Sequence, residues 1–228
     1  MSLPLLILRP LEGALQTEQR AKALGLPVVV DPLFTVESIA WSAPAAKDFD
    51  ALLLTSANAI KFGGAQLDVY RSLPVLAVGE KTADAAIKAG FHVERTGNSD
   101  TEYLLNRLAD GSCRNILWLA GEQHTQIIAK DRKIHIAPVY RARALNLGAQ
   151  AQACLAGETV ILLHSARAAR HIVSELDRLK LSKSTHHVLA FSAKVAEAAG
   201  RGWKSVQSAD HPDDDALLSL ASALCLSC

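Results

Sequence analysis

Small hydroxyl residues, amides and single cations gather at six places in this sequence. They are Arg9, Thr55-Ser56-Ala57-Asn58, Gly79-Glu80-Lys81-Thr82, Gly121-Glu122, His164-Ser165-Ala166-Arg167 and Ser192-Ala193-Lys194. Each follows a short apolar run, and most precede a helical pattern. Ser, Thr and Asn at such points cap helices, and first-turn N–H groups that lack a cap bind anions. Capping alone would explain any one of these residues. The set as a whole points to a ligand with several negative charges, held by backbone amides, hydroxyls and a few cations. Other chemistries lack their residues. There is no Walker-type phosphate loop and no Gly-x-Gly-x-x-Gly after the first apolar run, where Arg9-Pro10-Leu11-Glu12-Gly13 stands instead. The eight histidines scatter except for His186-His187, with no metal-ligand spacing. His164 and Ser165 are adjacent, and adjacent side chains rarely share a hydrogen bond, so they are a poor base and nucleophile. We expect neither metal nor cofactor.

The elements that must position these residues alternate along the chain. Strand candidates are Leu5–Leu8, Pro27–Val30, Ala51–Thr55, Val75–Val78, His92–Arg95, Ile116–Leu119, Ile134–Tyr140, Val160–Leu163, Val188–Phe191 and Ser205–Ser208. Helical stretches such as Glu80–Ala89, Ser165–Leu179 and Asp213–Leu224 lie between them. This alternation predicts α/β architecture with parallel sheets, and continuous apolar strands imply burial on both faces. In such sheets ligands bind beyond the carboxyl ends of the strands, where the six clusters fall. The stretch Val75–Ala86 also resembles Val188–Ala199 at an offset of about 113 residues, and the offset carries Asp100 with Leu104-Leu105 onto Asp213 with Leu217-Leu218. Two similar α/β domains, with a cleft lined by helix N-termini, are the expected organisation.

The chain has 228 residues, half of them apolar and only 5% aromatic, and its net charge is +1. So even a balance gives no field to draw nucleic acid or an anionic membrane. Leu3–Leu8 lacks a preceding basic residue and stops at Arg9-Pro10, and no apolar run approaches the roughly 20 residues that span a bilayer. Four dispersed cysteines fit a reducing compartment, and the terminal Cys225-x-x-Cys228 has no second pair to complete a metal site. A soluble cytoplasmic protein is expected.

In order and spacing, Leu-Ile-Leu-Arg-Pro at the start, Leu54–Ile60, Val75–Ala83, Pro138-Val139-Tyr140-Arg141 and the helix start at Asp214–Leu218 resemble the uroporphyrinogen-III synthase family. The resemblance implies two α/β domains joined by a two-stranded ladder. Residues 1–35 with 145–228 would form one domain and 39–137 the other, with linker strands at 33–38 and 138–143. It implies a cofactor-free lyase that dehydrates and cyclises hydroxymethylbilane, inverting the last pyrrole ring. Tyr140 would assist departure of the hydroxyl, and Thr82 would stand at the cleft edge. Thr55, Ser56 and Asn58 match a family turn and would bind substrate or cap the helix, while Arg9, Gly79, Lys81, Ser165, Arg167, Ser192 and Lys194 are candidate substrate-binding residues by their places at strand ends and helix starts. The chain departs from the family at His164–Arg167 and at Lys194-Val195, where hydroxyl residues are usual. A monomer is expected, with a transient contact to the enzyme that supplies its substrate. The alternative reading is a catalytically weak or inactive two-domain protein that binds a small polyanion.

Overall fold

The protein is described by a computed structural model covering residues 2–97, 101–108, 112–129 and 131–226. Asp100 of the repeat and Cys228 of the terminal pair lie outside the described residues. In chain order the strands are β1 (Leu5–Ile7), β2 (Val28–Val30), β3 (Phe34–Ser38), β4 (Ala51–Leu54), β5 (Val75–Val78), β6 (Val93–Gly97), β7 (Asn115–Gly121), β8 (Lys133–Ala144), β9 (Val160–Leu163), β10 (His187–Ala190) and β11 (Ser205–Ser208). The helices are α1 (Leu11–Ala23), α2 (Asn58–Phe62), α3 (Glu80–Lys88), α4 (Thr101–Asn106), α5 (Ala149–Cys154), α6 (Ala166–Leu179), α7 (Ala193–Ala199) and α8 (Asp214–Leu226).

The chain forms two compact units. The first comprises residues up to Thr35 and from Arg143 onward; the second is Val36–Ala142. The chain passes between them inside β3 and again inside β8. The first unit holds a parallel sheet in the order β11-β10-β9-β1-β2, and the second a sheet in the order β3-β8-β7-β4-β5-β6. The β8-β7-β4-β5-β6 part is parallel.

Side-chain alternation explains why the strands are apolar throughout. In the first unit Leu6, Leu8, Ile161, Leu163 and Val188 join a core on one face of the sheet. Leu5, Ile7, Val160, Leu162 and Leu189 join a second core on the other. The second unit repeats the plan, with Leu52, Leu54, Leu117 and Leu119 opposed to Ala51, Leu53, Ile116 and Trp118. A period-2 strand covered by helices on both faces has no polar side to show.

The longest helix among the described residues, α6, is fixed at both ends by local chemistry. Ser165 in extended backbone accepts a hydrogen bond from Ala168 N, and Lys180 closes the helix in the left-handed conformation. Glu175 ties its middle to the chain entering α5. Its buried carboxylate accepts from Leu147 N at 2.8 Å and from Arg178 Nε and Nη2 at 2.8 and 2.7 Å. Glu175→Ala leaves a buried amide without an acceptor, which costs roughly 2–3 kcal/mol. The urea midpoint should fall accordingly with an unchanged m-value, and an unaltered midpoint would mean the tie carries no load.

Candidate active site

In open α/β sheets the ligand crevice forms where successive strands run off in opposite directions from a central pair. In the first unit that point lies between β1 and β9, and in the second between β4 and β7, as the strand orders show. The loops leaving these strands carry Arg9, His164, Thr55 and Glu122 at or near their starts. The two switch points are furnished differently.

In the first unit the crevice residues bond one another. Arg9 Nη1 lies 2.8 Å from both carboxylate oxygens of Asp214 and 3.2 Å from Thr17 Oγ1. The fully buried Thr17 hydroxyl donates to Asp214 at 2.8 Å. His164 Nε2 lies 3.1 Å from Asp214 Oδ1, so it carries the proton, and Nδ1 is buried without a partner. Burial and the Arg9 charge push the His164 pKa down to about 4 against the pull of Asp214. Burial raises the Asp214 carboxyl, but the Thr17 hydrogen bond, Arg9 and His164 outweigh it and hold the group below its ordinary value. Arg9 was expected to await a ligand carboxylate; a protein carboxylate already occupies its Nη1. His164 and Ser165 do not act on each other, since Ser165 caps α6.

The second unit keeps its crevice open. A cavity of about 200 Å³ is lined by Thr55, Trp118, Gly121, His124 and Tyr140 together with Thr101, Gln123, Thr125 and Ile127. Tyr140 arrives there through an irregularity in register. Ala120 pairs with Pro138 but Gly121 pairs with Tyr140, so Val139 is the extra residue of a bulge beside a proline that could not donate to the ladder. Glu122 N then donates to Tyr140 O at 2.8 Å. Gly121 leaves room for the phenol: a Cβ there would lie 2.9 Å from Tyr140 Cε2 and 3.2 Å from its hydroxyl. Trp118 Nε1 donates to Thr55 Oγ1 at 3.1 Å, which leaves the threonine's own proton to donate elsewhere. A cavity this small, against the ~300–1,000 Å³ of usual ligand pockets, takes one part of a large ligand. A larger hollow of about 510 Å³ in the same unit is lined by Trp41, Phe49, Ile136 and Pro138, and neither Thr55 nor Tyr140 reaches it.

The other expected residues fall at helix starts. Ser56 Oγ accepts from Asn58 N at 3.2 Å, so both serve the start of α2. Gly79, at φ +86°, opens α3 and offers no side-chain cap, and Ser192 makes no side-chain cap to α7. These helices are related by the internal repeat, and both carry an exposed lysine in the first turn, Lys81 and Lys194. Their leading amides are therefore left to water or an anion. Arg167 stacks over the Phe34 ring at 4.3 Å. Thr82 lies in the first turn of α3, is only 5% exposed, and is not among the residues that line the cavity with Tyr140. Among the described residues no three His, Cys, Asp or Glu side chains are grouped to hold a metal ion. None of the described helices is long and apolar enough to cross a membrane.

Two parallel-sheet units with hydroxyl and amide groups at their strand ends, one switch point open onto a phenol and an imidazole, are the plan of a two-unit α/β enzyme. The family model for uroporphyrinogen-III synthase (HemD) matches residues 16–219, and the chain belongs to that family of cyclising lyases in tetrapyrrole biosynthesis. The crystal structure of uroporphyrinogen-III synthetase from Helicobacter pylori 26695 has the same fold, with a TM-score of 0.66 and 16% identity, covering 98% of this chain and 100% of that one. A mutant uroporphyrinogen III synthase from the extreme thermophile Thermus thermophilus gives a TM-score of 0.57 at 16% identity, covering 98% and 99%. No curated protein sequence matches the chain.

Proposed function

We propose that this chain turns hydroxymethylbilane into uroporphyrinogen III with the departing hydroxyl seated in the cavity that Thr55 and Tyr140 line. The activity is the one its family performs: loss of water, inversion of the last pyrrole ring and closure of the macrocycle. The observation that carries the assignment of the site is the bulge at Val139, which turns the Tyr140 phenol over Gly121 into the only cavity that also holds Thr55 among those described. There the two hydroxyls hydrogen-bond the leaving oxygen. In the second unit the groups offered to the substrate's carboxylate arms are Gly79 and Lys81 at the uncapped start of α3, with Ser56 and Asn58 at the start of α2; in the first unit they are Ser192 and Lys194 at the start of α7, with Ser165 and Arg167 at the start of α6. Burial of Thr82 favours a packing role over contact with substrate. Because the unassisted reaction closes without inversion, holding geometry matters more than raising reactivity. We further propose a cytoplasmic monomer that meets the enzyme supplying its substrate transiently.

The test is a coupled assay in which hydroxymethylbilane is generated in situ and the oxidised uroporphyrin isomers are separated. The expected result is excess isomer III from the wild type and a drop of about 10²-fold in its formation by Tyr140→Phe. Isomer III at an undiminished rate in that variant would remove Tyr140 from the mechanism. Isomer I alone from folded wild-type protein would favour a binding protein.

A further inference from the structure

We infer that His124 is the proton donor and acceptor of this site, an inference that rests on the reading above. The imidazole lines the same cavity as Thr55 and Tyr140. Its orientation is fixed twice. Nδ1 lies 2.9 Å from Gly121 O, and a carbonyl only accepts, so Nδ1 keeps its proton in either charge state. The ring also stands edge-on to Trp118, with centroids 5.1 Å apart at 73°. Trp118 thus positions both the imidazole and, through its N–H, the Thr55 hydroxyl. Nε2, on the opposite edge of the ring, has no protein partner among the described residues and is the nitrogen left to gain and lose a proton. Tyr140 on β8 is the other ionisable side chain among the residues that line the cavity.

The chemistry needs such a group twice. Imidazolium Nε2 gives its proton to the hydroxyl; the C–O bond breaks with its electron pair on oxygen, and water leaves. The pyrrole nitrogen lone pair makes the exocyclic carbon electrophilic. The last ring attacks through its substituted α-carbon to give a spiro intermediate; the older methylene bond at that carbon breaks, the ring turns over, and the freed methylene bonds to the unsubstituted α-carbon, which releases its proton to the now neutral Nε2. One water is lost and the imidazolium is restored. A phenol holds its proton too firmly near neutrality to do both steps, whereas imidazole exchanges one readily.

His124→Asn retains an amide N–H where Nδ1 was, and so keeps the tie to Gly121 while deleting Nε2. It should lower kcat for isomer III about 10²–10³-fold with KM changed less than about threefold. His124→Ala should fall at least as far and regain activity about tenfold with added free imidazole. Wild-type kcat in the Asn variant would overturn the inference, since the tie alone would then suffice. So would a loss that appears mainly in KM, or one that imidazole leaves untouched. A wild type producing only isomer I would instead refute the functional reading itself, which separates the two failures.

Discussion

Gly121→Ala should abolish most isomer III formation, by about 10²-fold in kcat, while the protein stays folded. The added Cβ would lie 2.9 and 3.0 Å from Tyr140 Cε2 and Cζ, closer than carbon atoms approach, so the phenol ring must move. Overpacking of this kind costs ~1–3 kcal/mol, which a chain with four strand-face cores can bear. Catalysis is less forgiving, because displacing a positioned group by about 1 Å can cost 10²-fold. The substitution acts through the tyrosine, so combining it with Tyr140→Phe should add little to the worse single variant. Fully multiplicative losses, at an unchanged melting temperature, would show that Gly121 matters for another reason. The total uroporphyrin from this variant should hold a larger share of isomer I.

Mild acid should weaken the first unit through His164. Its folded pKa is pushed down to about 4 from an ordinary 6.5, so between those values the unfolded chain binds the proton and the folded chain does not. The contribution is complete above about pH 6.5 and is lost as pH falls toward 4, amounting to roughly 2 kcal/mol by pH 5. Asp214 adds acid sensitivity at still lower pH, because its folded pKa lies below the ordinary carboxylate value and its stabilising ionised form disappears as it protonates. His186 is buried and shifted down too, by desolvation first and His187 second, so it acts in the same direction. Comparing urea midpoints of the wild type and His164→Leu at pH 7 and pH 5 cancels the His186 share. The variant should lose about 2 kcal/mol less over that interval; equal losses would mean that His164 is solvated in the folded state.

The strand ends were readable because they follow from composition. A run such as Ala51–Leu54 has no polar face, must lie inside a sheet, and must be followed by the residues that start a helix. Four features were not readable, each for its own reason. The Arg9–Asp214 pair joins positions 205 residues apart and leaves no local trace. Trp118 reads as one more apolar residue in β7, and nothing in a strand run says that its N–H will serve Thr55. His124 lies just beyond Gly121-Glu122, where attention to the strand end itself stops. The bulge at Val139 is the subtlest. Pro138 hints at a broken ladder, yet only the register opposite β7 shows that the break aims Tyr140 at the crevice. Tyr140 entered the sequence reading by resemblance, and the structure supplies a physical reason for its position.

The doubled passage of the chain through β3 and β8 has a consequence for the order in which the molecule assembles. The first unit's sheet needs β1 beside β9, pairing Leu5 with Val160, so it cannot close until the second unit has been synthesised. Closing so long a loop from an unstructured chain is entropically costly and slow. The second unit faces no such wait, since Val36–Ala142 is continuous and carries both of its cores. Once folded, it holds β3 next to β8, and the hydrogen bond from Leu145 N to Leu33 O, 2.8 Å long, joins the two chain ends just outside it. The inserted unit then works as a clasp, converting a long-range search into a local one and handing the ends of the first unit to each other.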